Sequence, residues 1–322
     1  MKNRKPFCRS VLPWVLILAG VGFLYLSIKG FSLISLTLSL RDLLLTRFHP
    51  TFPYTSQEIE FNHGDLKLKG SLYIPQGKGP FPGVVIAHGG TKLGRKLALY
   101  VIMGQKLAEK GYIVLSFDFR GFGESDDPPK IKSPEDLDFV GDLTQAVSTL
   151  TTIKNLDPHR IYLIGHSFGA GVVIQEGVKD QRIKKIVSIA PGRRTFERFF
   201  GENAPDKDWP QIRISHDMKL PYLIPKEILY PILISFIAES ILQFPQHPPL
   251  LFVDGSLEDP EDQKFLKNVY LKTTEPKSYV TIPGADHYFG TRKDESGFGQ
   301  TPFYEEKVVR EFIDTLDRWL RK

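Results

Sequence analysis

A serine with glycine two positions before it and two positions after it limits most strongly what this chain can fold into. The chain of 322 residues carries this pattern at residues 165–169, with the sequence GHSFG. A short apolar run precedes the pattern and a segment of small residues follows it, which is typical of a strand that turns sharply into a helix. At so tight a turn neighbouring side chains would collide, and Gly165 and Gly169 remove them. The pattern therefore predicts that Ser167 stands at the end of a strand with its hydroxyl exposed.

The chain from residue 51 onward alternates short apolar runs with longer amphipathic segments. This alternation is typical of a mostly parallel sheet with crossover helices. Eight strands are predicted, at residues 57–61, 66–74, 83–87, 112–117, 160–164, 185–189, 250–253 and 278–282. Helices are predicted at residues 96–110, 134–152, 167–178, 262–272 and 305–321. The turn NHGD between the first two strands predicts that this pair is an antiparallel hairpin.

Residues 191–249 interrupt that rhythm, because they are too long for an ordinary connection between strands. We expect an inserted helical cap. The second half of this insertion is strongly apolar, which would also suit a second membrane span. Prolines at 221, 225 and 231 make a lid the better interpretation. Such a lid either covers an apolar substrate or packs on its own domain. Three arginines at 193, 194 and 198 either hold an anionic group or, as we favour, line an exposed helix face.

The N-terminal segment has the character of a membrane anchor. Residues 11–28 carry no charge, and as a helix they span about 27 Å, close to the thickness of a bilayer core. Four cationic residues precede them, which predicts a cytoplasmic N-terminus and the rest of the chain on the other side of the membrane. A cleaved secretory signal is the alternative. Residues 29–48 predict a helix with a narrow polar stripe, so we divide the chain into an anchor and linker, 1–48, and a globular domain, 49–322.

Composition excludes several classes of function. The net charge is +5, of which Lys2, Arg4, Lys5 and Arg9 supply four, so the remainder is nearly neutral and no nucleic-acid surface is expected. Cys8 is the single cysteine, which excludes an internal disulfide framework and a cysteine-based zinc cluster. We favour a spectator thiol at Cys8 over a lipidation site.

A serine hydroxyl is a weak nucleophile unless a base takes its proton. Among the eight histidines, His287 follows the last predicted strand, where its loop would hang over the strand ends. His88 and His166 are interpreted as residues that shape neighbouring loops. The base needs a carboxylate, and the loop after residues 250–253 offers three: Asp254, Glu258 and Asp259.

A developing oxyanion needs two hydrogen-bond donors, which backbone amides supply without reorganisation. The first is predicted to be the amide of Phe168, at the start of the helix that follows Ser167. The second is predicted to come from the loop after residues 83–87, most directly from Gly90.

Four motifs in order resemble the α/β-hydrolase superfamily, over residues 57–320. They are AHGG at 87–90, DFRGFGES at 118–125, GHSFG at 165–169 and GADHYF at 284–289. The approach to the serine is similar to that of the dienelactone-hydrolase and acyl-peptidase-like branches. In this superfamily the acid commonly lies three residues after the loop glycine, which is Glu258 here, whereas the following Asp-Pro pair indicates Asp259. We predict Asp259.

The resemblance implies a membrane-anchored serine hydrolase with a triad of Ser167, His287 and Asp259. It would cleave an ester, thioester or amide in a small-molecule or lipid-like acyl substrate, and no metal or organic cofactor is implied. A peptidase or an acyltransferase of the same fold is an alternative. A binding protein on a catalytically inactive scaffold is another alternative, and the oligomeric state stays open.

Overall fold

Eight strands form one sheet in the computed structural model, which describes residues 51–128, 131–191, 212–213, 223–224, 246–291 and 304–322. The strands of this sheet are β1 Tyr54–His63, β2 Leu66–Pro75, β3 Phe81–Ala87, β4 Ile113–Phe117, β5 Leu156–His166, β6 Ile183–Ile189, β9 Leu250–Gly255 and β10 Lys277–Ile282. Their order in space is β1-β2-β4-β3-β5-β6-β9-β10. Two short strands, β7 Ile212–Arg213 and β8 Leu223–Ile224, pair antiparallel in a sheet of their own.

The sheet is mostly parallel, as the sequence predicts. Only β1 with β2 and β2 with β4 pair antiparallel among the eight described strands, and the other neighbouring pairs are parallel. The predicted hairpin is confirmed: His63 pairs with Leu66, and Gly64 takes a φ of +59° at the turn. The carboxyl ends of the parallel strands therefore meet at one edge, the place where α/β sheets bind their ligands.

Five α-helices in the described part of the chain cover both faces of the sheet. They are α1 Ala98–Glu109, α2 Phe139–Thr151, α3 Phe168–Lys179, α4 Pro260–Lys272 and α5 Glu306–Arg321. Alternate residues of β3 point to opposite faces: Val85 lies in one core with side chains of α2, α3 and α4, whereas Val84 lies in another with those of α1 and α5. This alternation, with a period of two residues, is expected of a strand whose two faces are both covered.

Two predicted helices begin later than their sequence pattern indicates. The pattern at residues 134–152 divides into a 3-10 turn, Pro134–Leu137, and α2, because the Asp138 side chain accepts a hydrogen bond from the Gly141 amide (2.8 Å) and caps the new helix. At residues 96–110 a 3-10 turn, Gly94–Lys96, comes first. Leu97 is then extended, and α1 begins at Ala98.

The DFRGFGES stretch fastens the turn after β4. The buried Asp118 carboxylate accepts hydrogen bonds from the backbone amides of Arg95 (2.6 Å) and Glu124 (2.9 Å) and pairs with the Arg95 guanidinium. Gly123 is required there, since its φ is +51° and a Cβ would lie 2.3 Å from Asp118 Oδ2. Ser125 Oγ donates to the Asp118 carbonyl (2.6 Å). These polar groups of the motif hold the protein's own backbone.

Several predictions lie outside the described residues. These are the membrane span at 11–28, the polar-striped helix at 29–48, the domain boundary after residue 48, and Arg193, Arg194 and Arg198. Most of the cap at 191–249 also lies outside, apart from β7, β8 and the residues at its two ends. Among the residues that the structure describes, no helix has both the length and the apolar character that a bilayer crossing needs.

Candidate active site

Ser167 occupies a strained turn between β5 and α3. Its φ is +52° and its ψ is −115°, a region that non-glycine residues rarely adopt. The turn is held because the Ser167 amide donates to the Ile189 carbonyl (2.8 Å) of the neighbouring strand. A Cβ on Gly165 would lie 2.2 Å from the Gly169 carbonyl oxygen, and one on Gly169 would lie 2.3 Å from that of Ala87. The turn has the strand-turn-helix geometry that the glycine spacing predicts.

His287 lies after β10, and its ring contacts a carboxylate from the loop after β9. The Nδ1 atom is 2.9 Å from Glu258 Oε1. The Glu258 side chain is 8% exposed, whereas that of His287 is 37% exposed, so the imidazole can be reached from solvent while the carboxylate is sheltered. With Glu258 ionised and the imidazole neutral, Nδ1–H donates to Glu258, which leaves the Nε2 lone pair to accept a proton.

The prediction that Asp259 is the carboxylate at His287 is wrong, because the structure places Glu258 there. Asp259 is the N-cap of α4, and its Oδ1 atom accepts a hydrogen bond from the Glu261 amide (3.0 Å). Pro260 follows as the first helical residue. An Asp-Pro pair is a signal for a helix start, and the short aspartate side chain serves its own helix.

Asp254, the third candidate, lies buried within β9. It accepts a hydrogen bond from the Tyr279 hydroxyl, and its Oδ1 atom has no hydrogen-bond partner within the described part of the chain. Burial, with the nearby negative charge of Glu258, raises the pKa of the Asp254 carboxyl. Its partners therefore come from the sheet, and it does not take the place of Glu258.

The loop after β9, which carries Glu258 (the acid loop), contacts the loop after β10, which carries His287 (the histidine loop). Gly255 begins the acid loop, and a Cβ there would lie 2.2 Å from the Ala285 carbonyl oxygen of the histidine loop, so the two backbones touch. Three hydrogen bonds join the loops: Ser256 N to Ile282 O (3.0 Å), Leu257 N to Ala285 O (2.8 Å) and Gly284 N to Ser256 Oγ (2.8 Å). This contact fixes the distance between the two loops that carry Glu258 and His287.

The loop after β3 lies against the serine. A Cβ on Gly89 would lie 3.1 Å from the Ser167 Cβ. The His287 ring is also close, with its centroid 4.8 Å from that of His166, the residue before Ser167. The structure thus brings Ser167, His287 and the glycine loop to the same edge of the sheet.

His88 sets the orientation of the Gly89–Gly90 peptide. Its Nε2 atom accepts from the Phe119 amide (3.1 Å), so the neutral ring carries its proton on Nδ1 and donates it to the Gly89 carbonyl (2.6 Å). Burial lowers the pKa of His88, which keeps the ring neutral. In a trans peptide the N–H points opposite to the C=O, so the Gly90 amide points away from His88. A Cβ on Gly90 would meet no atom of the described residues within 4 Å, so the described part of the chain leaves space at this predicted donor.

Phe168, the other predicted donor, is the first residue of α3. Amides in the first turn of a helix point out of its N-terminal end, where the helix dipole favours negative charge. Its side chain serves the core instead, in contact with the rings of Phe119, Phe122 and Phe139 at centroid distances of 5.6, 6.0 and 5.1 Å. The aromatic packing holds the helix start beside Ser167.

Tyr100 is the residue at this edge that sequence reasoning missed. Its hydroxyl lies between the Gly89 amide (2.6 Å) and His166 Nδ1 (2.8 Å). The sequence around it forms an ordinary amphipathic helix, so no local signal distinguishes Tyr100 from a core residue. Within the described residues, no group of three or more His, Cys, Asp or Glu side chains is arranged to hold a metal ion.

Comparison with known proteins finds similarity to α/β hydrolases. A family model described as alpha/beta hydrolase fold matches residues 82–232. The quorum-quenching protein AidA of Acinetobacter baumannii is 30% identical over 145 residues, which are 43% of this chain and 45% of AidA. Esterase EstD of Thermotoga maritima is 34% identical over 137 residues, 40% of this chain and 32% of EstD. The chain thus spans less than half the length of these two curated relatives.

A solved structure extends the likeness over most of the chain. Est1E from Butyrivibrio proteoclasticus with ferulic acid bound superposes with a TM-score of 0.62 at 16% sequence identity. The match covers 82% of this chain and 98% of Est1E. A likeness at this identity shows the fold alone. Together with the sheet order and the matched family model, it shows that the chain has the α/β-hydrolase fold.

Proposed function

We propose that this protein is a serine hydrolase that cleaves carboxylic esters, with a triad of Ser167, His287 and Glu258. The observation that carries the proposal is the 2.9 Å contact between His287 Nδ1 and Glu258 Oε1, beside a serine held at a φ of +52°. Backbone strain of this kind clusters at active sites and ligand-binding sites. The similarity to esterase EstD supports an ester as the substrate.

In the proposed reaction, Ser167 Oγ attacks the ester carbonyl carbon and His287 Nε2 takes the hydroxyl proton. The Glu258 carboxylate stabilises the imidazolium that forms. The amides of Gly90 and Phe168 donate to the oxyanion of the tetrahedral intermediate, and the dipole of α3 adds to this stabilisation.

The tetrahedral intermediate then collapses. The bond between the carbonyl carbon and the leaving oxygen breaks, and His287 gives its proton to the departing alcohol. Water, deprotonated by the same histidine, attacks the acyl-enzyme. The carboxylic acid leaves, and Ser167 recovers its proton.

Labelling with a fluorophosphonate tests the nucleophile. We expect the wild type to form a covalent adduct at Ser167 and to turn over p-nitrophenyl acetate, because an activated serine reacts with both reagents. Ser167→Ala should lose both the adduct and the turnover. Ser148→Ala is the matched control, since this serine lies on α2, where its hydroxyl donates to the Thr144 carbonyl (2.9 Å). An adduct in Ser167→Ala as strong as in the wild type would refute the proposal, and faster turnover of aminoacyl p-nitroanilides than of esters would favour a peptidase.

We also propose that residues 11–28 anchor the chain in a membrane, with the hydrolase domain on the non-cytoplasmic side. The uncharged run and the four cations before it support this orientation. The full chain should stay in the membrane fraction after carbonate extraction, and a chain that begins at residue 49 should not. A full-length protein released by carbonate would contradict the anchor, and release of a shortened chain would indicate a cleaved signal.

A further inference from the structure

Tyr100 and His166 form a chain of hydrogen bonds beneath Ser167. The Gly89 amide contacts Tyr100 Oη (2.6 Å), and Tyr100 Oη contacts His166 Nδ1 (2.8 Å). His166 Nε2 contacts the His287 backbone carbonyl (2.9 Å). The chain therefore begins on the loop that carries Gly90 and ends on the backbone of the proposed base.

The two ends of this network fix the direction of its outer bonds, and the neutral state of the His166 ring fixes the direction of the middle bond. The Gly89 N–H can only donate and the His287 carbonyl can only accept. His166 Nε2 therefore carries a proton and donates it to His287. Burial, with the adjacent His287 ring, lowers the pKa of His166 well below its ordinary value, so the ring is neutral and Nδ1 accepts from the Tyr100 hydroxyl.

These bonds lie in the protein interior. Tyr100 is 1% exposed and His166 is 2% exposed. A polar group left without a partner at such a site costs more free energy than an exposed one, because water does not replace the lost bond. The chain of hydrogen bonds therefore favours a single arrangement of the protein segments that it connects.

We propose that Tyr100 and His166 are positioning residues that hold the Gly90 amide and the His287 ring in register with Ser167. The proposal rests on the proposed function, in which these three groups act on one carbonyl. Glu258 holds His287 at its ring and His166 holds it at its backbone carbonyl, so both the side chain and the main chain of His287 have a hydrogen-bond partner. Tyr100 transmits the same constraint to the glycine loop.

The first test is Tyr100→Phe, which keeps the ring and removes the hydroxyl. We expect kcat for p-nitrophenyl acetate to fall about 10-fold to 100-fold with KM within about twofold. Misplaced catalytic groups reduce the stabilisation of the transition state more than they reduce substrate binding. Tyr112→Phe is the matched control. Tyr112 is also buried, and its hydroxyl donates to Asp317 Oδ1 (3.0 Å), but this bond joins the residue before β4 to α5, away from the site.

Tyr100→Phe loses two hydrogen bonds of a buried hydroxyl and Tyr112→Phe loses one, so thermal unfolding should show a lower Tm for both variants, with the larger fall in Tyr100→Phe. Only Tyr100→Phe should lower kcat. Equal kcat values in the two variants would overturn the proposal, because the Tyr100 bond would then serve stability alone. A fall in kcat that follows the loss of stability in both variants would overturn it as well.

The second test compares two replacements of His166. The glutamine amide offers an N–H near the position of Nε2, so His166→Gln retains a donor to the His287 carbonyl, whereas His166→Leu fills the space without one. We expect kcat to fall in the order wild type, His166→Gln, His166→Leu, with the two variants about 10-fold apart. Equal loss in both variants would show that shape, and not the hydrogen bond, is what the site needs.

A third measurement separates this inference from the proposed function. Histidine ¹⁵N NMR of the full chain should show His166 as the neutral tautomer with its proton on Nε2 between pH 6 and pH 8, with its signals identified by their loss in His166→Gln. A proton on Nδ1 would contradict the proposed series of hydrogen bonds, whether or not the protein cleaves esters. If that tautomer is present but the wild type forms no fluorophosphonate adduct, the proposed function fails and with it the role of the chain in catalysis.

Discussion

Replacement of Glu258 by glutamine is expected to lower kcat for p-nitrophenyl acetate by about 10³-fold to 10⁴-fold, with a small change in KM. The carboxylate at Oε1 accepts the Nδ1–H of His287 over 2.9 Å and holds the ring with its Nε2 lone pair available. A glutamine amide carries no negative charge to stabilise the imidazolium, and its N–H₂ group favours the opposite tautomer. Both losses act only as the proton moves, so they fall on kcat.

Asp259→Asn is the matched control for this prediction. Asparagine caps a helix about as well as aspartate, so α4 should keep its first turn and the protein its stability. Because the Asp259 carboxylate serves the Glu261 amide and not His287, kcat should stay within about twofold of the wild type. If Asp259→Asn loses as much activity as Glu258→Gln, the assignment of Glu258 as the acid is wrong.

The two neighbouring acids also show how far the sequence leads. The eight strands, the turn at Ser167 and the loop that carries His287 follow from hydrophobic period and glycine spacing, which are local properties of the chain. The choice between Glu258 and Asp259 is not local, because it depends on where α4 begins. The Asp-Pro pair carries a helix-start signal, and the prediction assigned it to catalysis instead. Read as an N-cap, the same pair would have left Glu258 for His287.

Tyr100 marks the other limit of prediction. Its contacts join the loop after β3 to His166, which precedes α3. His166 lies 66 positions from the tyrosine along the chain. A tyrosine on the buried side of an amphipathic helix has the same sequence signature whether its hydroxyl meets a loop amide or none. Only the packed fold brings the donors and acceptors together, so this part of the site became visible in the structure alone.

A buried carboxyl group on α3 leads to the second prediction of a large effect. Glu176 is 3% exposed, and its Oε1 atom has no hydrogen-bond partner in the part of the chain that is described. Burial, with the nearby charge of Asp180, raises the pKa of Glu176 to about 7. Burial also acts on Asp180, but the Arg182 guanidinium that contacts it (2.9 Å) holds the pKa of Asp180 below its usual value. Glu176 is thus the protonated member of this pair.

The sign of the pH effect follows from proton binding. In the unfolded chain Glu176 has an ordinary pKa of 4.5, so between about pH 4.5 and pH 7 the folded state holds a proton that the unfolded state has lost. The free energy of unfolding therefore falls as pH rises through this window. Above pH 7 both states are ionised, and the buried charge costs the fold about 3 kcal/mol.

Glu176→Gln should remove this cost, since the amide is neutral at every pH and can still donate to Asp180. We expect the variant to exceed the wild type in free energy of unfolding by less than about 1 kcal/mol at pH 5 and by about 3 kcal/mol at pH 8. Urea unfolding at the two pH values measures the difference. Glu311→Gln is the control: its side chain on α5 is 52% exposed and pairs with Arg318, so both curves should stay within about 0.5 kcal/mol of the wild type. A gain in Glu176→Gln that is equal at pH 5 and pH 8 would contradict an ionising carboxyl at this position, because a gain from packing alone does not depend on pH.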